Sequence, residues 1–231
     1  MNNTSFPRLG VITIGQSPRA DLTADLPVML GERVTIIERG ILDAFTLEEV
    51  NRRYPVGEQR PFLVSRMRNG DQVEIAEQDA EPLLDACINT MAEQDNVDVI
   101  LVLCTGDLPQ YPHLRCQVLS PKHIVRHFFA GINPPGKLIV MSPSAGQIAN
   151  TRERWAQAGR EIDSLSASPY QDQAALVAAG KQAVSLAGSL IYLDCMGYTL
   201  AHRQAIAEAS GKRVIAARQV VFSAARLLLG S

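Results

Sequence analysis

No apolar run in this chain approaches the ~20 residues that cross a bilayer. Met1 to Arg8 is polar and lacks the apolar stretch of a secretion signal. A membrane partner is therefore not expected, and the chain reads as cytoplasmic. An excess of either charge is missing too. Lys and Arg number 22 against 24 Asp and Glu, a formal charge of −2, which gives little of the footprint that counterion release on nucleic acid rewards. A nucleic-acid partner is set aside on that ground. Cysteine is sparse: Cys87, Cys104, Cys116 and Cys195 are the whole set. In a reducing compartment each needs its own account as packing, metal ligand or reactive thiol. Low-complexity tracts and short repeats are absent as well.

What remains is ordinary globular material, 46% hydrophobic and 20% charged over 231 residues, enough for one large domain or two small ones. Short β-branched runs recur at Leu9 to Ile14, Val34 to Ile37, Val97 to Leu103, Lys137 to Met141, Ile162 to Leu165, Leu190 to Leu193 and Val214 to Ala216. Such continuous runs suit strands buried on both faces of a parallel sheet. Helical patterns lie between them, at Arg19 to Leu30, Glu77 to Glu93, Ser144 to Ala158, Asp172 to Leu186, Thr199 to Ala209 and Arg218 to Leu229. The alternation predicts an α/β fold. Phe62 to Ile75 departs from it and predicts an inserted β-hairpin, with Asn69-Gly70 supplying the positive φ angles of a tight turn. Gly131-Ile-Asn-Pro-Pro-Gly136 is the strongest punctuation, and on either side of it each half opens on a similar strand and carries a later strand ending in cysteine.

Ligands of open parallel sheets bind beyond the carboxyl ends of the strands, and four motifs fall there. In Gly15-Gln16-Ser17-Pro18-Arg19, glycine permits close backbone approach, Ser17 can cap a helix, and Arg19 offers a fork for a carboxylate. That reads as an anion site or as a plain capped helix start. Cys104-Thr105-Gly106 and Cys195-Met196-Gly197-Tyr198 follow strands at matching places in the two halves. A thiol there becomes a base or nucleophile when a helix amino terminus or a cation favours its thiolate; otherwise it packs as a small hydrophobe. Ser166-Ala-Ser168-Pro-Tyr170 is a further lip of the site or a helix cap. Cys87 falls on the apolar stripe Leu83, Leu84, Ile88 and Met91 and reads as core. Cys104, Cys116, His123 and His127 can be arranged as a zinc tetrahedron, but no CxxC knuckle supports it, so no metal is expected. His202-Arg203 reads as a solvated helix face.

Five motifs, Ile14-Gly-Gln-Ser-Pro-Arg19, Gly40-Ile-Leu-Asp43, Cys104-Thr-Gly106, Ser168-Pro-Tyr170 and Asp194-Cys-Met-Gly-Tyr198, resemble in content and order those of the AroM-like proteins, relatives of the aspartate/glutamate/hydantoin racemase superfamily. The resemblance covers nearly the whole chain and implies two pseudo-symmetric α/β lobes with a ligand cleft between them. It implies a first lobe of residues 1–115 with 212–231 and a second of 116–211, since the chain in such racemases crosses over and returns. Cys104 and Cys195 match the two racemase cysteines, one per lobe. There one thiolate removes the proton α to a carboxylate and the opposing thiol returns one on the other face, without cofactor.

By that likeness the chain is a cofactor-independent racemase or isomerase acting on a small carboxylate. Cys104 and Cys195 are its catalytic pair, and Gly15, Gln16, Ser17, Arg19, Thr105, Gly106, Ser168, Tyr170, Met196, Gly197 and Tyr198 form its binding surface. The racemases carry Cys-Asn-Thr and Gly-Cys-Thr where this chain has Cys-Thr-Gly and Cys-Met-Gly, so contacts to an amino-acid ammonium do not transfer. Two other readings stand beside it: a one-cysteine isomerase or decarboxylase of the same superfamily, and a non-catalytic carboxylate-binding or regulatory protein. A homodimer is left open.

Overall fold

The computed structural model describes residues 6–31, 33–57, 60–104 and 109–230. Their contacts divide into two compact units, one running up to Ile124 and resuming at Val221, the other Val125–Val220. In chain order the first unit holds β1 (Arg8–Thr13), α1 (Ala20–Thr23), α2 (Leu26–Leu30), β2 (Thr35–Gly40), α3 (Leu47–Arg53), β3 (Phe62–Arg66), β4 (Gln72–Ala76), α4 (Glu77–Gln94), β5 (Val99–Val102) and β6 (Gln117–Leu119). Helix α5 (Pro121–Ala130) follows. The second holds β7 (Leu138–Ser142), α6 (Ile148–Gln157), β8 (Ile162–Ser166), α7 (Gln173–Ala183), β9 (Leu190–Leu193), α8 (Leu200–Ser210) and β10 (Arg213–Ala216), and α9 (Ala217–Leu229) ends the chain.

In the first unit the strands run parallel in the order β2-β1-β5-β6. The continuous apolar runs are its centre: Leu9, Ile12, Ile100, Leu101 and Val102 are fully buried, each such side chain contributing about 1.5–3 kcal/mol on removal from water. Parallel strands need crossovers long enough to hold a helix. Helix α4 supplies one, packing Ala80, Leu84, Ile88 and Met91 against the sheet's core. The pattern over Arg19 to Leu30 forms two short helices rather than one, because Pro27 has no N–H to give and its ring crowds the preceding turn. Helix α3, which hydrophobic periodicity did not reveal, is set by a capping box in which Thr46 and Glu49 each accept the other's backbone N–H.

The inserted hairpin is present as β3 and β4, antiparallel. Its turn differs from the expected one: only Gly70 has positive φ, at 100°. Gly70 N donates to Met67 O and Met67 N to Asp71 O, the three-residue loop in which a type I turn is followed by one left-handed residue. Asn69 keeps negative φ and accepts the Asp71 N–H on its side chain.

The second unit repeats the topology. Its sheet, β10-β9-β7-β8, has the first strand flanked by the second and third and the fourth outside the third, as in the first unit. The registers match residue by residue. Ile12 pairs with Val102 and Met141 with Leu193; Leu103 N donates to Ile12 O and Asp194 N to Met141 O. Thr13 pairs with Gly40 and Ser142 with Ser166. Two boundaries expected from the sequence shift accordingly. β6 pairs with β5 and β10 with β9, so residues 117–119 stay with the first sheet and 213–216 with the second. The division falls inside α5 and inside α9.

Candidate functional site

A sheet ordered 2-1-3-4 reverses its winding between its first and third strands, and ligands of such sheets bind beyond the carboxyl ends at that switch point. In the first unit the residues there are Ile14 and Gly15 after β1 and Cys104 after β5. In the second they are Pro143 and Ser144 after β7 and Cys195 after β9. The matching hydrogen bonds of Leu103 and Asp194 make Cys104 and Cys195 equivalent positions.

Cys104 is half-buried and borders a cavity of about 530 Å³ whose walls include Ile14, Leu63, Ala80 and Leu84. Thr105 and Gly106, predicted to bind ligand, lie outside the described residues. The neighbouring segment Gly15 to Arg19 is braced from two sides. Asp43 accepts the Ser17 N–H and hydroxyl, each at 2.7 Å, and the Gly40 N–H at 2.8 Å. From the hairpin, Arg68 donates its Nε to Ser17 O and its backbone N–H to the Gln16 side chain, whose amide donates in turn to Leu42 O and Phe45 O. Glycine is required at two contacts here: a Cβ on Gly15 would stand 1.9 Å from Arg66 O, and one on Gly40 2.5 Å from Gly15 O. The motifs Gly15 to Arg19 and Gly40 to Asp43 are thus two halves of one interlocked loop.

Two expectations for this loop are corrected. Ser17 does not cap α1: the N-cap position falls on Arg19, whose side chain makes no capping bond, and the Ser17 hydroxyl donates to Asp43. The Arg19 fork does not face outward. It is 2% exposed and grips Asp21 through Nε and Nη2 at 2.8 and 2.7 Å, while Nη1 donates to Thr13 and Ser65. Burial pushes the Asp21 carboxyl up, but Arg19's hydrogen bonds and charge outweigh it and hold Asp21 below its ordinary value.

Around Cys195 the second unit builds a tight turn. The Gly197 N–H donates to Cys195 Sγ at 3.3 Å, and the Tyr170 hydroxyl lies 3.9 Å from the same sulfur. A Cβ on Gly197 would stand 2.4 Å from that hydroxyl, so a side chain there would displace the Tyr170 ring from the sulfur. Ser168 accepts the Tyr170 N–H and is buried. Tyr198 is wholly buried, donates to Ala167 O at 2.6 Å, and burial pushes its phenol well up, so it serves as a fixed donor rather than a proton carrier. Met196 is buried, and its carbonyl accepts Nε and Nη2 of Arg218 at 3.1 and 2.7 Å. Sequence reasoning missed Arg218, although an arginine in the apolar stretch Val214 to Phe222 was a visible signal. It also missed Arg154, which pairs with Asp194 at 3.3 Å beside the Tyr192 hydroxyl.

Burial pushes Cys87 up to about 11 and raises Cys116 as well, which favours the thiol form of both near neutrality. His123 is occupied by Ser120, and His202 completes the capping box of α8 with Thr199. Among the described residues no three His, Cys, Asp or Glu side chains converge as metal ligands would, and no helix is long and apolar enough to cross a membrane.

Known structures that share this fold include racemases, a maleate isomerase and an arylmalonate decarboxylase. An allantoin racemase from Klebsiella pneumoniae aligns over 97% of this chain and 88% of its own at TM-score 0.60 and 15% identity. A maleate isomerase from Pseudomonas putida aligns over 97% and 93% at TM-score 0.63 and 13% identity. A glutamate racemase from Bacillus anthracis aligns over 98% and 82% at TM-score 0.62 and 13% identity. At such identities the likeness is one of fold. The profile of the AroM protein family matches residues 9–229, and the chain belongs to that family. Comparison with curated proteins finds no match.

Proposed function

We propose that the protein is a cofactor-independent isomerase that inverts a centre α to a small carboxylate, with Cys104 and Cys195 as its two acid/base groups. The observation that carries this reading is the equivalence of the two cysteines, each two residues beyond the third strand of sheets that share order and register. In one direction the thiolate of the first cysteine takes the α-proton and becomes a thiol. The carbanion, delocalised into the carboxylate as an enolate, takes a proton from the second, which is left as thiolate. The reverse reaction starts from that state, so both stereochemical directions are served without external acid or base. N–H donation to sulfur, as Gly197 gives Cys195, favours the charged form the base needs. The enolate requires donors preorganised at its oxygens. Because Arg19 is spent on Asp21, we assign that task to backbone N–H groups and hydroxyls at the strand ends.

The test is hydrogen exchange. A panel of chiral 2-substituted carboxylates is incubated with the protein in D2O and followed by NMR for deuterium at the α-carbon and by chiral chromatography for inversion. For a substrate so identified, Cys104→Ser and Cys195→Ser should each abolish inversion but retain exchange on one enantiomer, opposite in the two variants. Full inversion by either variant would refute the two-base scheme. Loss of all exchange in one variant with none in the other would favour the one-cysteine reading.

A further inference from the structure

The cavity beside Cys104 belongs wholly to the first unit. Ile14 at the end of β1 and Ala80 and Leu84 on α4 form an apolar floor, at 2, 1 and 5% exposure. Pro61 and Leu63, at the start of the hairpin, close one side, and polar groups line it as well, Arg60 and Glu81 among them. Arg60 is exposed and paired with Asp79 at 3.8 Å. At about 530 Å³ the space falls in the range that holds drug-sized ligands. A four-carbon dicarboxylate would leave water against the apolar floor of Ile14, Ala80 and Leu84, which burial of an apolar group would displace.

We infer that the cavity receives an apolar substituent, of phenyl size or larger, carried on the α-carbon of the carboxylate. The substrate class is then an arylated or branched-alkyl carboxylic acid rather than an amino dicarboxylate. The inference rests on Cys104 being the reactive thiol of the proposed site. The hairpin acquires a role by it: a strand pair inserted into the first unit supplies a wall of the substituent pocket.

Alkylation of Cys104 in the full chain tests this without a known substrate. Bromoacetate and 2-bromo-2-phenylacetate are compared, each rate normalised to its rate with glutathione and assigned to Cys104 by peptide mass spectrometry. In each reaction the thiolate sulfur forms a C–S bond as bromide leaves. The normalised rate should favour the phenyl reagent by roughly tenfold or more, as burial of a ring's apolar surface implies. Ala80→Leu, which fills the floor, should cut that preference, and Leu84→Ala, which enlarges it, should move the optimum to a naphthyl reagent, with circular dichroism confirming that both variants fold. Fast labelling by bromoacetate with no gain for the phenyl reagent, and no response to either variant, would overturn the inference while leaving the reactive thiol intact. Labelling of Cys104 no faster than glutathione by both reagents would overturn the reading of the thiol and this inference with it.

Discussion

Replacing Asp43 by alanine should loosen the loop that follows β1, and the cost can be worked from its bonds. One carboxylate accepts the Ser17 N–H, the Ser17 hydroxyl and the Gly40 N–H at 2.7 to 2.8 Å and meets Arg68 at 3.2 Å. Ser17 is buried, so its orphaned N–H finds no ready water and costs about 1–3 kcal/mol. The half-buried Gly40 N–H adds about 1 kcal/mol. The Ser17 hydroxyl can rotate, and the exposed Arg68 pair contributes about 0–1 kcal/mol. Asp43→Ala should therefore destabilise the first unit by about 2–5 kcal/mol, a large share of the ~5–15 kcal/mol of a typical domain. Asp43→Asn, which keeps one acceptor oxygen and the volume, should cost about 1–2 kcal/mol.

Because the chain has two compact units, a single unfolding midpoint would mix them, but the sequence provides its own control. The one tryptophan, Trp155, sits in the second unit among Phe129 and Tyr192, so its fluorescence in urea follows that unit. Amide hydrogen exchange across residues 9–45 follows the first. The expected result is a large loss of protection over residues 9–45 in Asp43→Ala. A loss worth less than about 1 kcal/mol, or an asparagine as damaging as alanine, would refute the argument that the carboxylate's geometry holds the loop.

The thiols should separate under a disulfide reagent at pH 7.5. Cys104 and Cys195 should react in the folded protein, whereas Cys87, pushed up to about 11 by burial, should react only on unfolding; early labelling of Cys87 would contradict its place in the core. Arg39 holds Asp95 through two bonds of 2.6 and 2.9 Å, and those bonds set the Asp95 carboxyl below its ordinary value. The folded value lies below the unfolded one of ~3.9, so the stabilisation is fully present above about pH 4 and fades as the pH falls through the folded value. Arg39→Met should cost about 0.5–1 kcal/mol at pH 7, and denaturation curves of variant and wild type should converge on acidification; a gap that persists unchanged at low pH would exclude the ion pair as its cause.

The sheets were legible because buried parallel strands write themselves as unbroken apolar runs, and the repeat of topology followed from two of them ending in cysteine. Short or edge elements carry weaker signals. β6 spans three residues at a sheet edge, with one side chain buried, too little pattern to separate it from loop, and its omission displaced the expected lobe boundary. Helix α3 had a readable signal in Thr46 and Glu49, but only Val50 of its residues is buried, so periodicity stayed silent. In the loops, residue types identified which segments matter without saying which partners they take. Ser17 and Arg19 are suited to a ligand and equally to protein partners: Asp21 lies only two residues from Arg19, whereas Asp43 reaches Ser17 and Ser65 reaches Arg19 from segments 26 and 46 residues away.

Set side by side, the two strand ends share position and differ in fittings. Thr13 and Ser142, equivalent and both buried, each anchor a route to an arginine. Thr13 accepts Arg19 Nη1 directly; Ser142 meets Thr151 at 3.2 Å, which accepts Arg154 Nη2. Each arginine is then matched by a carboxylate of its own unit, Asp21 in the first and Asp194 in the second. Arg19 is bonded through all three of its guanidinium nitrogens, whereas Arg154 uses Nη2 alone and its buried Nε finds no partner, so the two arginines are equivalent in place and not in how fully they are held. At Cys195 the Gly197 N–H donates to Sγ within a turn whose Met196 carbonyl Arg218 grips. Arg218, wholly buried on α9, thereby holds the turn that carries the Gly197 N–H.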